Sequence, residues 1–315
     1  MILNYNGLKW LEPIYESIKA QQSANLVVYL VDNDSSDESL TLTRERYPHV
    51  RIIAMPKNLG YATAYNLATP IALDEGCDWV VWANNDILLM PDCISQMTAA
   101  ALSDPAIGIV GPTCLEWQGE RPNRYMRAIH RASLDAVEAR NPRPIAVDWV
   151  EGSFLMISRQ CFEATGPIDP IYVFYWEEAD YCRRARRHGW KVVLAPAAVV
   201  RHYGGGTATA KAGRTRFAHL GLRNSYLYLL TDPDAEWALN WRRTLKHFVG
   251  RATRRRIPRP GELAAEVKAF AAMLAMTGTA SRKWRRDRDL KPAPRCIGLT
   301  DKERAEIEAR FGPVS

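Results

Sequence analysis

The sequence predicts an α/β fold: a mostly parallel, Rossmann-like sheet flanked by helices, with a basic helical extension at the carboxyl end. Three observations predict it. Short apolar runs alternate with helical stretches of about ten to fifteen residues through the first third, the pattern of βαβ units. Three of the runs lead into polar residues, at 32–34, 58–60 and 84–86. A parallel sheet would set these along one edge, where open α/β sheets bind ligands. The last quarter then changes character and becomes strongly basic.

The elements follow in order. Residues 1–5 read as a short strand and 8–21 as an amphipathic helix. Residues 26–31 are a continuous apolar strand that runs into Asp32-Asn33-Asp34-Ser35-Ser36-Asp37. A helix over 38–47 comes next, with Ser36 or Asp37 placed to cap it. Residues 50–55 form a third strand, followed by Lys57-Asn58-Leu59-Gly60 and a helix over 61–75. The unbroken apolar run at 79–83 reads as a buried strand. It ends in Asn84-Asn85-Asp86, with Pro91 placed to open the next helix. Residues 115–143 are polar and basic, a loop with a helix near 133–140. Residues 145–158 read as strands. Residues 192–195 form a strand that Pro196 ends, and 199–202 form another short one.

A length of 315 residues accommodates one sizeable domain plus an extension, divided as 1–230 and 231–315. The hydrophobic share of 47% suffices for a large core, and the chain is rich in large aromatics, with 10 Trp and 13 Tyr. Six cysteines without a CxxC pair argue for a reducing compartment and against a zinc site. The chain starts directly in a strand, with no leader-like segment, which predicts a cytoplasmic protein. Residues 240–295 hold sixteen Lys and Arg against four Asp and Glu, a net +12 in a chain of +7, so the remainder carries −5. The peaks are 251–259 and 282–288. Between them, 262–276 is an apolar helix interrupted by Glu266 and Lys268, too short and too charged to span a bilayer. Such an element suits the surface of an anionic membrane. It equally suits a helical subdomain packed on the core with a solvated basic face. No recognition motif supports nucleic-acid binding.

The chemistry concentrates at 172–188, where Glu177, Glu178 and Asp180 sit beside Tyr175 and Trp176. Three carboxylates within four positions repel one another, which raises the pKa of one of them. A carboxylate so held can take a proton from a substrate hydroxyl. The same spacing also fits a solvated acidic patch paired with Arg183, Arg184, Arg186 and Arg187. Asp86, at a strand end, can hold a divalent cation that grips a diphosphate, though Asn-Asn-Asp is also a turn sequence.

Seven motifs occur in order: ILNYNG at 2–7, VDNDSSDES at 31–39, NLGYATAYN at 58–66, NND at 84–86, GSFLMISRQCFEATGPID at 152–169, FYWEEADYCRRARRHGWKVVLAP at 174–196, and His202. Over about residues 1–230 this set resembles family 2 of the inverting glycosyltransferases, which have the GT-A fold, and is similar to its rhamnosyltransferase-like and galactofuranosyltransferase-like members. The resemblance implies a role for each matching position. Asn84-Asn85-Asp86 occupies the place of the metal-binding Asp-x-Asp, with Asn for the first Asp. Asp86 is then a ligand of Mg²⁺ or Mn²⁺, and Asn84 touches ribose or diphosphate. Asp32 reads the base or ribose of the sugar donor, Asn33 and Asn58 belong to the same pocket, and Asn4 to Asn6 pack against the base. Glu178 is the general base, Glu177 orients the acceptor, and Asp180 supports the helix start. Glu in place of the family's Asp at 178 adds one methylene. His202 completes the metal site, a promotion the other five histidines lack. Residues 149–152 face the donor sugar or the acceptor, and 115–143 set acceptor specificity. The run Gly204-Gly205-Gly206-Thr207 reads either as a mobile loop that can close over the diphosphate or as a simple flexible linker.

The function so implied is metal-dependent, inverting transfer of a sugar from a UDP- or TDP-sugar to a hydroxyl of a glycan or lipid-linked acceptor, in cell-envelope polysaccharide synthesis. The protein would be cytoplasmic and peripheral on the inner face of the plasma membrane. The alternative is a non-catalytic module that binds nucleotide sugars or glycans on the same fold.

Overall fold

A computed structural model describes residues 1–21, 25–204, 211–253 and 260–289. The strands β1 (Ile2–Asn4), β2 (Tyr29–Asp32) and β3 (Arg51–Ala54) run parallel, joined by the helices α1 (Leu8–Lys19) and α2 (Ser39–Arg46). Helix α3 (Gly60–Asp74) returns the chain to β4 (Trp79–Asn84), parallel to β1 on its other side. The strand order therefore reverses at β1, and the register aligns Asn4 with Asp32 and Leu3 with Asn84. A crevice outside the carboxyl ends of the strands at such a reversal is where doubly wound sheets take ligands.

The second half continues through β5 (Ile87–Leu89), α4 (Cys93–Leu102), β6 (Ile107–Glu116), α5 (Arg124–Ile129), α6 (Leu134–Glu138), β7 (Ile145–Ala146), β8 (Phe154–Ser158), α7 (Arg159–Thr165), α8 (Glu177–Arg187) and β9 (Lys191–His202). The sheet order is β3-β2-β1-β4-β8-β6-β9-β5, with β7 also on β9. The parallel half is the expected one. Beyond it β8 enters antiparallel between β4 and β6, and β5 and β7 lie antiparallel on β9, so the whole sheet is mixed.

The sheet is covered on both faces, which is why its strands read as unbroken apolar runs. Successive residues alternate between the two layers. Leu30 packs with Leu11, Ile14 and Met97 from α1 and α4. Tyr29 and Val31 pack with Tyr65 of α3, Phe162 of α7 and Tyr181 of α8. Fully burying each such side chain is worth about 1.5–3 kcal/mol.

Several boundaries move. The strand expected at 26–31 starts at Tyr29. Neither Ser36 nor Asp37 caps α2: Glu38 holds the N-cap position without a side-chain capping bond, while Asp37 Oδ1 accepts from Ser39 N and its Oδ2 from Leu8 N at the start of α1. Pro196 does not end a strand. It lies inside β9, where residues 196–198 bulge out between Ala195 opposite Pro112 and Val199 opposite Thr113. A bulge tolerates the missing N–H, and the Pro196 carbonyl accepts from Thr113 Oγ1 at 3.0 Å. The stretch read as a loop over 115–143 begins in β6 and carries α5, capped by Asn123 Oδ1 on Met126 N, ahead of α6 near the expected place.

Helices α9 (Lys211–Leu230), α10 (Trp237–Thr253), α11 (Pro260–Ala275) and α12 (Thr277–Arg288) enclose a third apolar cluster, in which Tyr172 is buried beside Tyr226, Leu230, Met273 and Ala280, with Trp176 packed against it. They are also locked to the core by charge. Lys283 of α12 is buried and reaches Asp180 at 3.0 Å, Asp169 at 3.2 Å and Asp287 at 2.6 Å. Among the described residues no single helix is long and apolar enough to cross a membrane. The pair Leu263–Ala275 and Thr277–Arg288 passes by length and composition but is bent by 64°, and Ala269, Met273, Lys283 and Asp287 on it are buried in protein. The basic residues 254–259 and the loop residues 205–207 lie outside the described residues.

Candidate active site

The carboxyl ends of β1, β2 and β4 bring asparagines and aspartates together. Asn4 Nδ2 donates to Asp32 Oδ1 and to Ser35 Oγ, both at 3.1 Å, while its Oδ1 accepts from Asn85 Nδ2 at 2.7 Å. Asp32 Oδ2 accepts from Ser35 N, and Asn33 Nδ2 donates to Asn58 Oδ1 at 3.0 Å. Asn33 Oδ1 accepts from Leu59 N, tying the start of α3 to the same corner. Gly7 is required here, since a Cβ at that position would collide with the Asn85 and Asn4 side chains. Asn84 is fixed by its backbone N–H on the Ser153 carbonyl, with its side chain half-buried at the end of β4.

Asn85 leads directly to Asp86, which is 5% exposed. The β5–β9 pairing sets Ile87 opposite His202, and Tyr203 N bonds the Asp86 carbonyl. His202 Nε2 then lies 3.4 Å from Asp86 Oδ1, and its Nδ1 lies 2.9 Å from Glu151 Oε1. Glu151 is itself held by Asn123 Nδ2 and Ser153 Oγ. The next residue, Gly152, accepts from the Tyr61 hydroxyl at 2.7 Å, and a Cβ on it would sit 3.1 Å from Glu178 Cβ. The path from Asp32 through Asn4, Asn85, Asp86, His202, Glu151 and Gly152 to Glu178 is thus continuous in contact or sequence. Residues widely separated along the chain are thereby joined in one connected set of contacts.

The family model described as "Glycosyltransferase like family 2" matches residues 1–219. The chain belongs to this glycosyltransferase family. It is 30% identical over 271 residues to an N-acetylglucosaminyl-diphospho-decaprenol L-rhamnosyltransferase of Mycobacterium tuberculosis, covering 78% of this chain and 86% of that one. It is 30% identical over 169 residues to the galactofuranosyltransferase GlfT2 of the same organism, covering 46% of this chain and 26% of the relative. Among solved structures it is similar to a mannosyltransferase from Pyrobaculum calidifontis in complex with GDP-Man and Mn²⁺, with a TM-score of 0.54, 18% identity, and coverage of 91% and 81%. The GT-A fold is shared, and the chain is an enzyme.

The carboxylates of this glycosyltransferase occupy contrasting surroundings. Glu177 is buried at 5% exposure and one of its oxygens, Oε2, has no hydrogen-bond partner, whereas Glu178 is only partly buried. Burial pushes Glu177 well above the carboxylate range, with the neighbouring Glu178 charge adding to it. Burial raises Glu178 as well, and N–H groups of the first turn of α8 pull part of the way back, leaving it at about 7. Asp180 is different. It is fully buried, but Lys283, Arg183 and Arg184 outweigh desolvation and hold it far below its ordinary value. The solvated acidic patch is therefore not what forms: Arg183 and Arg184 do pair with Asp180, inside the protein.

At His202 burial works against the charged ring, yet hydrogen bonds to Asp86 and Glu151 raise it to about 10. Asp86 and His202 are side chains of the types that take a divalent cation, the histidine only after giving up its Nε2 proton. Asp86 Oδ1 and His202 Nε2 face each other, and Glu151 fixes the far nitrogen, the usual orientation device for a ligating histidine. Among the described residues no three His, Cys, Asp or Glu side chains form a closed set, since Glu151 reaches the opposite side of the ring.

Glu151, Asn85, Asn123 and Tyr61 were not singled out from the sequence. Glu151 lies in the stretch 149–152 that was expected to face substrate, but nothing in that stretch marks it as the partner of a histidine 51 positions away. Asn123 carries an N-cap signal of the usual kind, hidden within a polar segment.

Proposed function

We propose that this glycosyltransferase is metal-dependent and inverting. It moves a sugar from a UDP- or TDP-sugar to a hydroxyl of a glycan or lipid-linked acceptor, in cell-envelope polysaccharide synthesis. The observation that carries the reading is Glu178: a partly buried carboxyl with a pKa near 7, seated against Gly152, one residue from the group that orients His202 toward Asp86.

In this reading Asp32, Asn4, Asn33 and Asn58 hold the nucleoside, and Asn84 steadies ribose or diphosphate. Asp86 and His202 would hold Mg²⁺ or Mn²⁺. A cation so held offsets the negative charge that grows on the departing diphosphate. Glu178 accepts the proton of the acceptor hydroxyl while that oxygen bonds to the anomeric carbon from the side opposite the diphosphate. The bond from the anomeric carbon to the phosphate oxygen breaks, and its electron pair leaves with the nucleoside diphosphate. One displacement inverts the anomeric centre. Glu177, behind Glu178, keeps its proton and orients the acceptor side of the pocket.

The relative that acts on a decaprenol-linked sugar supports a lipid-linked acceptor. An exposed face on α10 and α11 supports a peripheral membrane position. Leu239, Leu245 and Val249 with Arg242, Arg243 and Lys246 are exposed on α10, and Leu263, Val267 and Leu274 with Lys268 on α11.

Product formation by Glu178→Gln tests the catalytic assignment. Turnover should fall by about 10²- to 10⁴-fold, with nucleoside-diphosphate affinity within about threefold of wild type. Equal turnover in the two proteins rejects Glu178 as the base.

A further inference from the structure

The segment that delivers Glu177 and Glu178 is strained. Val173, Tyr175 and Trp176 have φ of 65°, 68° and 74°, three left-handed non-glycine residues within four positions. Each costs on the order of 1–3 kcal/mol and persists only where the surroundings enforce it. For β-branched Val173 the conformation is a genuine outlier. Trp176 is also the N-cap of α8, and its side chain makes no capping bond to the helix.

The enforcing group comes from α9, some fifty residues away. Asn224 is fully buried, and its Nδ2 lies 2.5 Å from the Tyr172 carbonyl and 2.9 Å from those of Phe174 and Tyr175. Two amide protons serve three carbonyls. The orientation of the amide is fixed in turn, because Asn224 Oδ1 accepts from Arg223 Nε at 2.9 Å and Nη2 at 2.7 Å. Arg223 Nη2 also donates to the carbonyls of Ile171 and Tyr172, and Trp176 Nε1 donates to the Gly221 carbonyl. One turn of α9 therefore binds the backbone of the strained turn at Ile171, Tyr172, Phe174 and Tyr175 and the Trp176 side chain.

We propose that Asn224 is a positioning residue for catalysis: its side-chain amide holds the left-handed turn at 173–176 and so aims Glu178 at the acceptor hydroxyl. The proposal rests on the reading of Glu178 as general base. Asn224 touches no substrate. Without its donors the turn relaxes toward ordinary backbone angles, and α8 starts in a different direction. A shift of about 1 Å in a reacting group costs about 10²-fold in rate.

The test is a double-mutant cycle on the full chain with Asn224→Ala and Glu178→Gln, reading kcat, nucleoside-diphosphate affinity and melting temperature. Asn224→Ala should lower kcat by about 10- to 100-fold and leave nucleotide affinity within about threefold, because the nucleoside end of the cleft is built from other elements. In the Glu178→Gln background the same change should lower kcat by less than about twofold, since there is no base left to aim. Val173→Gly is added to Asn224→Ala as a rescue. Glycine takes the left-handed region without penalty, and Val173 is 45% exposed, so little packing is lost. The double variant should recover at least about threefold in kcat, and it keeps the test usable if the single variant folds poorly. If Glu178→Gln collapses turnover while Asn224→Ala only lowers the melting temperature at wild-type kcat, or if Val173→Gly restores nothing, the positioning role is overturned. If Glu178→Gln itself turns over normally, the base assignment has failed instead.

Discussion

Glu177 and Glu178 are neighbours in sequence that differ in access, and in the proposed function that difference separates their roles. Glu178 is partly exposed and Glu177 is buried, so Glu178 is the one placed to take a hydroxyl proton. Because Glu178 is raised to about 7, it is protonated and incompetent as a base below that pH and ionised above it. The kcat/KM of the wild type should therefore rise with pH through about 7, about tenfold per unit on the acid limb. A profile flat from about pH 5.5 to 8.5 would remove the titrating base from this site. Asp180 shows what residue spacing can and cannot reveal. Its pairing with Arg183 and Arg184 follows from three- and four-residue helical spacing. Its bond to Lys283, 103 positions on, does not. That cation takes Asp180 out of the acidic cluster in which the sequence had grouped it.

At the level of elements, the alternating strands and helices of the first third were legible because covered parallel strands have a plain apolar pattern. The misreadings have local physical causes. Pro196 looks like a strand end, yet a bulge opposite Thr113 absorbs it, and bulges leave no composition signal. Helix α5 is short, and its arginines and tyrosine resemble the loop around it. The carboxyl-terminal helices pose a different question, since a basic apolar helix fits both a core and a membrane surface. Here one face of α11 is buried through Ala269 and Met273, and another exposes Leu263, Val267 and Leu274. The exposed face predicts co-sedimentation with anionic phospholipid vesicles but not with zwitterionic ones, and loss of binding above about 0.5 M salt. Changing Arg242, Arg243 and Lys246 to Gln together should weaken that binding by about 10²-fold or more, at about 1 kcal/mol per cation. Undiminished binding of this variant, or none by wild type, would end the membrane role of the face.

Across the whole molecule, the sheet order sets Asn4 and Asp32 at the ends of β1 and β2, Asp86 just before β5, His202 at the end of β9 and Glu178 at the start of α8, with β8 and its preceding Glu151 and Gly152 joining them; the proposed function gives these groups the nucleoside, cation and base roles. The ordered motifs made that convergence readable before any coordinates. The supporting layer was not readable, because Glu151, Asn123 and Asn224 act through contacts between distant segments and have ordinary local sequences. The carboxyl-terminal helices belong to this supporting layer too, through Asn224 and Lys283.

The central claim is that one cleft joins Asp86 and His202 to the nucleoside residues. Calorimetric titration of UDP and TDP, with Mn²⁺ and with chelator, into wild type and Asp86→Ala tests it most directly. Chelator and Asp86→Ala should each weaken binding of the preferred nucleotide by about tenfold or more, a loss of at least about 1.4 kcal/mol, and chelator should have no further effect on the variant. Nucleotide affinity unchanged by both treatments would contradict the account.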